Sequence, residues 1–129
     1  MSRIAHIALV VRDYDEAKSW FANALGFAVA EDTDLGGGKR WVLMSPPGGG
    51  SQLLLARAAT PEQQAAIGNQ SGGRVFLFLA TEDFARDHAR FEARGVSFLE
   101  APRREAYGTV AVFEDLYGNR WDLIERRRA

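Results

Sequence analysis

The sequence contains no cysteine, only two histidines and no long apolar segment. Without cysteine there is no disulfide framework, no thiolate metal site and no cysteine nucleophile, and this composition is typical of the cytosol. The first apolar stretch covers residues 4–11, which is too short for a signal peptide or a membrane span. We therefore expect a soluble protein located in the cytoplasm.

An excess of either charge is also missing. The chain has 16 basic and 17 acidic residues and a formal net charge of −1, so it has no general electrostatic attraction to nucleic acid or to an anionic membrane. The only basic run, Arg126 to Arg128, is predicted to be a solvated tail. We expect neither a nucleic-acid partner nor a membrane partner.

Three common catalytic patterns are absent as well. The glycine runs 36–38 and 48–50 lie between predicted strands with no helix after them, so they match neither a phosphate-binding loop nor a dinucleotide fingerprint. No Ser/His/Asp arrangement is present. The glycines are interpreted as loop residues.

What the sequence does contain is an internal repeat. Residues 4–29 show an apolar strand pattern, then an amphipathic helix that begins after Asp13 and ends at Gly26, then a second strand. Residues 75–99 repeat this order, with Thr81 as the predicted cap and Gly95 at the end of the helix. His88 lies on the apolar stripe of that helix and is predicted to be a core residue.

The repeat predicts two modules. Tyr14 matches Phe84, an offset of 70 residues (84 − 14), and half of a chain this long would bury too little apolar surface to be stable alone. We predict a single domain over residues 1–129, with module 1 at about 3–58 and module 2 at about 73–127 joined by a linker at 59–72. The predicted fold class is α+β, two tandem β-α-β-β-β modules.

Several connections are predicted from their composition. Residues 31–40 and 102–108 are interpreted as loops, the first of them mobile and able to cover a cavity. A short helix is predicted over 60–67, and the last strand over 120–125. In the first strand, His6 shares a face with Ala8 and Val10 and is predicted to be the polar exception on a strand whose two faces are both mostly buried.

Four features together resemble a known family: the repeat, the early His6, the Asp-x-x-Gly-Asn turn at 115–119, and Asp122 followed by leucine. They resemble the vicinal-oxygen-chelate superfamily, which includes glyoxalase I, extradiol dioxygenases and bleomycin-resistance proteins. The resemblance covers nearly the whole chain. It implies a curled, cup-like mixed sheet with helices on the outer face, a small molecule bound in the cup, and a homodimer.

The resemblance also implies candidate metal ligands. By position, His6 is the first-strand ligand, Asp122 stands where the family usually has glutamate, and Gln52 is the module 1 equivalent of Asp122. Phe76 stands at the position equivalent to His6, with Arg74 on the same face, and neither can coordinate a cation. The cofactor is thus either one divalent metal, Zn, Ni, Mn or Fe, or none.

Two functions stay open at this point. In the first, the metal site is degenerate, His6 is a pocket histidine paired with Asp122, and the protein binds a small organic molecule. In the second, a divalent metal on His6, Asp122 and Gln52 supports a lyase, isomerase or dioxygenase acting on a substrate with vicinal oxygens. Catalytic residues are not assigned. The predicted ligand-binding residues are Trp41, Arg74, Phe76, Arg104 and Tyr107.

Overall fold

The computed structural model describes residues 1–127 and shows an α+β fold. Contacts divide the chain into two compact units, Met1–Ile67 and Gly68–Ala129. Among the described residues, no helix is long and apolar enough to cross a bilayer. The prediction of two modules of the β-α-β-β-β type is confirmed, with one additional short strand in the second unit.

Unit 1 contains a four-stranded sheet and two helices. Its elements are β1 (His6–Val11), α1 (Tyr14–Leu25), β2 (Ala28–Gly36), β3 (Lys39–Ser45), β4 (Gln52–Arg57) and α2 (Pro61–Ala66). The strands follow the order β1-β4-β3-β2 in the sheet, and β1 runs parallel to β4.

Helix α1 begins and ends where the sequence predicts. Asp13 is the N-cap and accepts a hydrogen bond from the Glu16 amide, and Gly26 ends the helix in the left-handed conformation with φ of 74°. The helix buries Ala17 and Phe21, and the sheet contributes the fully buried Leu9. This apolar layer is the core of unit 1.

The prediction of a mobile loop over 31–40 is wrong, because β2 and β3 form a hairpin through this segment. Its turn uses Gly37 and Gly38, both with positive φ. On the arms, Asp32 accepts hydrogen bonds from Arg40 and from Lys18 of α1. These ion pairs connect the hairpin to the helix, a role that scattered charges in the sequence do not reveal.

Unit 2 repeats the arrangement with shorter strands. Its elements are β5 (Val75–Ala80), α3 (Phe84–Ala93), β6 (Ser97–Phe98), β7 (Arg103–Glu105), β8 (Gly108–Glu114) and β9 (Arg120–Arg126). The sheet follows the order β5-β9-β8-β6, with β7 paired to β8 and β5 parallel to β9.

Helix α3 covers one face of the unit 2 sheet through Phe91, which contacts Phe113 of β8. His88 packs between Phe84 and Phe98, so it is a packing residue as predicted. Thr81 is not the N-cap, because Asp83 accepts the hydrogen bond from the Arg86 amide instead. Thr81 accepts from the Asp83 amide and so shapes the turn that precedes the cap.

Two further boundaries differ from the prediction. Residues 102–108 are not only a loop, because Arg103 to Glu105 pair with β8. The last strand extends to Arg126, and the Arg127 amide donates to the Tyr107 carbonyl, so backbone hydrogen bonds order these two residues, whose side chains are exposed as predicted. Arg128 lies outside the described residues.

Candidate functional site

Each sheet has one face covered by a helix and one face that bears the candidate site residues. In unit 1 we call the second face the His6 face, defined by His6, Ala8, Trp41, Leu43, Gln52 and Leu54. In unit 2 we call it the Asp122 face, defined by Phe78, Arg103, Val110, Val112, Asp122 and Ile124. Strand pairing fixes both memberships, because directly paired residues share a face of a sheet.

The His6 face combines an imidazole, an amide and an indole. His6 of β1 is paired directly with Gln52 of β4, as predicted from their positions. The His6 ring meets the Trp41 ring edge to face with centroids 5.9 Å apart. His6 is exposed and Trp41 is half-buried, so both rings are accessible to a ligand. The prediction that His6 lies on a buried face is wrong, because α1 covers only the opposite side of β1.

The Asp122 face places a carboxylate beside an aromatic ring. Asp122 of β9 is paired with Phe78 of β5 on one side and with Val112 of β8 on the other. Asp122 is 7% exposed whereas Phe78 is 66% exposed. The predicted alternation, with Asp122 and Ile124 on one face and Trp121 on the other, is confirmed by the strand register.

No hydrogen bond from residues 1–127 reaches the Asp122 carboxylate. Its Oδ1 atom is buried and has no hydrogen bond. The positive charge that acts on it is that of Arg103, but this guanidinium donates to Glu100 and to Glu105, at 2.9 Å and 2.6 Å. Burial raises the pKa of Asp122 above its ordinary value, partly opposed by the positive charge of Arg103. A buried polar atom without a partner is uncommon and calls for a functional explanation.

A register shift changes which residues correspond between the two units. The offset of 70 matches His6 with Phe76, but the pairing of β5 with β9 slips between Val75 and Leu77. Phe78 is the residue across from Asp122, as His6 is across from Gln52, and the shift accounts for one of the two residues that separate Phe78 from Phe76. Sequence periodicity alone does not reveal this shift, since an irregularity of one residue in a short apolar strand leaves the composition unchanged.

The other predicted ligand-binding residues lie at several places in unit 2. Phe76 is half-buried and meets the Trp121 ring edge to face at 6.3 Å. Arg74 is exposed and immediately precedes β5. Arg104 pairs with Thr109, which places it on the side of the sheet that bears α3. Tyr107 is exposed in the turn that follows β7.

Arg104 also lines a shallow polar depression of about 190 Å³ on the α3 side of unit 2. Its lining residues are Arg104, Glu105, Gly108, Thr109, Glu125 and Arg127. The Glu125 carboxylate accepts a hydrogen bond from the first amide of α3, that of Phe84, at 2.8 Å. This carboxylate is thus a helix-capping group, which leaves the depression without an unpaired acid.

Each face offers few donor groups for a divalent metal. The His6 face offers one imidazole and one amide, both neutral, and the Asp122 face offers one carboxylate flanked by phenylalanine and valine. Over residues 1–127, no group of three or more His, Asp or Glu side chains is placed to hold a metal. Neither face by itself fits a divalent cation, which needs several charged or oxygen donors.

Sequence reasoning identified Asp122 but missed the residues around it. Glu100 accepts a hydrogen bond from the Val112 amide and another from Arg103. It therefore holds the Arg103 guanidinium in place beside Asp122. Arg103 and Glu105 are two residues apart and so lie on the same face of a strand. This alternation could have predicted their pairing, but only if residues 103–105 had first been recognised as a strand.

Comparison with known proteins agrees with this architecture. The chain is 59% identical over 124 residues to an uncharacterized protein of Shewanella frigidimarina (strain NCIMB 400), covering 95% of this chain and 92% of that protein.

Two solved structures are similar over nearly their full length. UcmS2 superposes with a TM-score of 0.83 at 27% identity, over 96% of this chain and 98% of that one. TnmS3, an antibiotic binding protein from Streptomyces sp. CB03234, superposes with a TM-score of 0.79 at 27% identity, over 98% of each chain. Residues 3–123 match the model of one family. The chain belongs to the Glyoxalase/Bleomycin resistance protein/Dioxygenase superfamily.

Proposed function

We propose that this protein binds a small aromatic compound and does not transform it. The observation that carries the proposal is that accessible aromatic rings, Trp41 and Phe78, lie on the sheet faces that the helices leave open. Aromatic side chains recognise flat ligands through stacking and apolar burial. Similarity to TnmS3, an antibiotic binding protein, supports the binding of a small molecule.

The donor groups support binding rather than catalysis. A general base must lie within hydrogen-bond reach of the proton that it removes, and His6 is the only imidazole on either open face within the described residues. Gln52, paired with His6, cannot take a proton. The pair is suited to orienting a polar edge of a ligand by hydrogen bonds, while Trp41 covers its ring.

Tryptophan fluorescence and thermal unfolding test the proposal. Bleomycin and a panel of planar aromatic compounds are titrated into the protein, and a ligand at 100 times its Kd is expected to stabilise the fold by about 2.7 kcal/mol. Trp41→Leu should abolish the fluorescence change. Trp20→Phe, a change on helix α1, should retain it. No fluorescence change and no stabilisation with any compound would contradict the proposal.

A second candidate function is a divalent-metal-dependent lyase, isomerase or dioxygenase. The observation that favours it is the Asp122 Oδ1 atom, a carboxylate oxygen that has no hydrogen-bond partner. Elemental analysis of protein purified without chelator distinguishes the two candidates. Stoichiometric Zn, Ni, Mn or Fe that is lost in both His6→Ala and Asp122→Ala would support the enzyme and contradict a metal-free binding protein.

A further inference from the structure

On the Asp122 face, Asp122 lacks a hydrogen-bond donor and Phe78 lacks apolar cover. Asp122 is nine-tenths buried, yet its Oδ1 atom has no hydrogen bond. Phe78, its direct neighbour on β5, exposes 66% of its surface. Both features cost stability, since a buried oxygen without a donor has lost its hydrogen bonds to water and an exposed ring forfeits apolar burial.

Arg103, the basic side chain whose charge acts on Asp122, donates no hydrogen bond to it. Arg103 shares the face with Asp122, but its guanidinium is bound by Glu100 at 2.9 Å and by Glu105 at 2.6 Å. Arg103 and Glu100 are the charged groups whose fields act on Asp122, so together with the Asp122 carboxylate they leave an excess of one negative charge. The local charge is negative, so it favours a cationic ligand and disfavours an anionic one.

The neighbours of Asp122 also exclude the usual inorganic cation. Phe78 and Val112, which flank it on the two adjacent strands, offer no metal ligand. A metal ion would therefore have one protein ligand on this face. An organic cation needs only one strong acceptor for its nitrogen together with an apolar surface for its body.

We propose that Asp122 and Phe78 form a subsite for an aromatic amine, in which the ammonium group donates to the Asp122 carboxylate and the adjoining ring packs on Phe78. This inference rests on the proposed function and names its ligand class. The amine supplies the missing donor, and its positive charge compensates a carboxylate that the fold has removed from water. The exposed Phe78 ring gains the apolar cover that the fold does not provide.

The test uses three probes that share one ring system: 2-naphthylmethylamine, 2-naphthylmethanol and 2-naphthoate. Affinities are measured by isothermal titration calorimetry at pH 7. The amine should bind about tenfold more tightly than the alcohol, which corresponds to one hydrogen bond to a charged group, and the carboxylate should bind most weakly. In the intact protein, the 13C carboxyl resonance of Asp122 should shift on addition of the amine and not on addition of the alcohol.

Three variants assign the effect to the subsite. Asp122→Asn should bind the amine and the alcohol equally, whereas Phe78→Ala should weaken all three probes by a similar factor. Asp32→Asn, which removes a carboxylate from unit 1, should keep the tenfold preference and is the matched control. Circular dichroism confirms that each variant is folded, and the resonance shift tests the same contact without any substitution.

The outcomes separate this inference from the proposal on which it rests. Equal binding of amine and alcohol to the unaltered protein would overturn the amine subsite while leaving a small-molecule binder. So would an amine preference that survives in Asp122→Asn. No binding of any probe or of the aromatic panel at 1 mM, a concentration on the order of weak ligand affinities, would overturn both.

Discussion

The two units use one strand order for different chemistry. In unit 1 the parallel pair β1 and β4 brings His6 beside Gln52, whereas in unit 2 the parallel pair β5 and β9 brings Phe78 beside Asp122. The first pair is neutral, polar and accessible. The second pair joins an exposed ring to a buried acid. The same backbone pairing therefore carries hydrogen-bonding groups in one unit and an aromatic ring with a charge in the other.

Asp32 of unit 1 and Asp122 of unit 2 differ in the direction in which the fold shifts their pKa. Hydrogen bonds from Arg40 and Lys18 lower the pKa of Asp32 in unit 1 to about 2. Burial raises the pKa of Asp122 in unit 2. The charged form of Asp32 therefore stabilises the fold, and the charged form of Asp122 destabilises it. Asp32 thus stabilises the fold, whereas Asp122, which lies in the proposed amine subsite, lowers stability.

The largest expected effect concerns the turn before the last strand of each unit. In unit 2, Asp115 is 5% exposed and accepts hydrogen bonds from the Asn119 amide and side chain and from the Trp121 indole. Asp115→Ala should lower the free energy of unfolding by about 3 kcal/mol, because it leaves several buried donors without an acceptor. Urea unfolding measures the change.

The matched position in unit 1 is Ser45, offset by 70 residues (115 − 45). Its hydroxyl makes one long contact of 3.5 Å with the Pro46 carbonyl. Ser45→Ala should therefore change stability by less than about 0.5 kcal/mol. Equal losses in Ser45→Ala and Asp115→Ala would show that the two turns are equivalent and would break the comparison.

Asp122→Asn should increase stability at pH 7 by about 1 kcal/mol, because it removes a buried charge that has no partner. The folded-state pKa of Asp122 lies above the ordinary value of 3.8, so its ionisation costs stability as pH rises from that value through the raised pKa. Below the ordinary pKa and the raised folded-state pKa, the carboxyl is neutral in both the folded and the unfolded protein. The gain should thus grow with pH when thermal unfolding is measured from pH 3 to pH 8.

Asp32→Asn should have the opposite sign, with a loss of about 1 kcal/mol or less at pH 7, since the ion pairs of Asp32 are partly exposed. The pKa of Asp32 is about 2 in the folded state and its ordinary value is 3.8. Its contribution is complete above the ordinary value and disappears as pH falls toward 2. The same pH series, repeated at high salt, should show this loss shrinking. If Asp32→Asn and Asp122→Asn changed the free energy of unfolding in the same direction, the assigned roles would be contradicted.

The smallest effect is expected for His6→Ala. His6 is exposed, and the described contacts of its ring are with Trp41 alone. Removal of the imidazole should change the unfolding free energy by no more than about 0.5 kcal/mol, which chemical denaturation resolves. A loss above 2 kcal/mol would show that His6 is a structural residue and would weaken its use as a probe of binding or metal retention.

Local signals in the sequence predicted much of the fold. Asp13 and Gly26 mark the ends of α1 because capping geometry depends on a few residues close in sequence. The face of Asp122 follows from strand alternation, which is a property of the backbone. The family resemblance rests on the same kinds of signal, repeated in two halves of the chain.

The features that sequence analysis missed depend on partners distant in sequence. The hairpin through 31–40 is stabilised by the ion pairs of Arg40 with Asp32 and Asp15, the latter in α1. Glycines and charges in that segment are equally common in loops, so composition alone favoured a loop. The place of Phe78 beside Asp122 depends on a register shift, and no residue type announces such a shift.

Strand β2 lies at one edge of the unit 1 sheet, and all nine of its residues are exposed. Long unpaired edges can recruit strands from other molecules and begin aggregation. Two irregularities in its pairing with β3 and the acidic side chains of Glu31 and Asp34 oppose such recruitment. A protein with this edge is expected to stay monodisperse at concentrations at which a straight, uncharged strand would form fibrils.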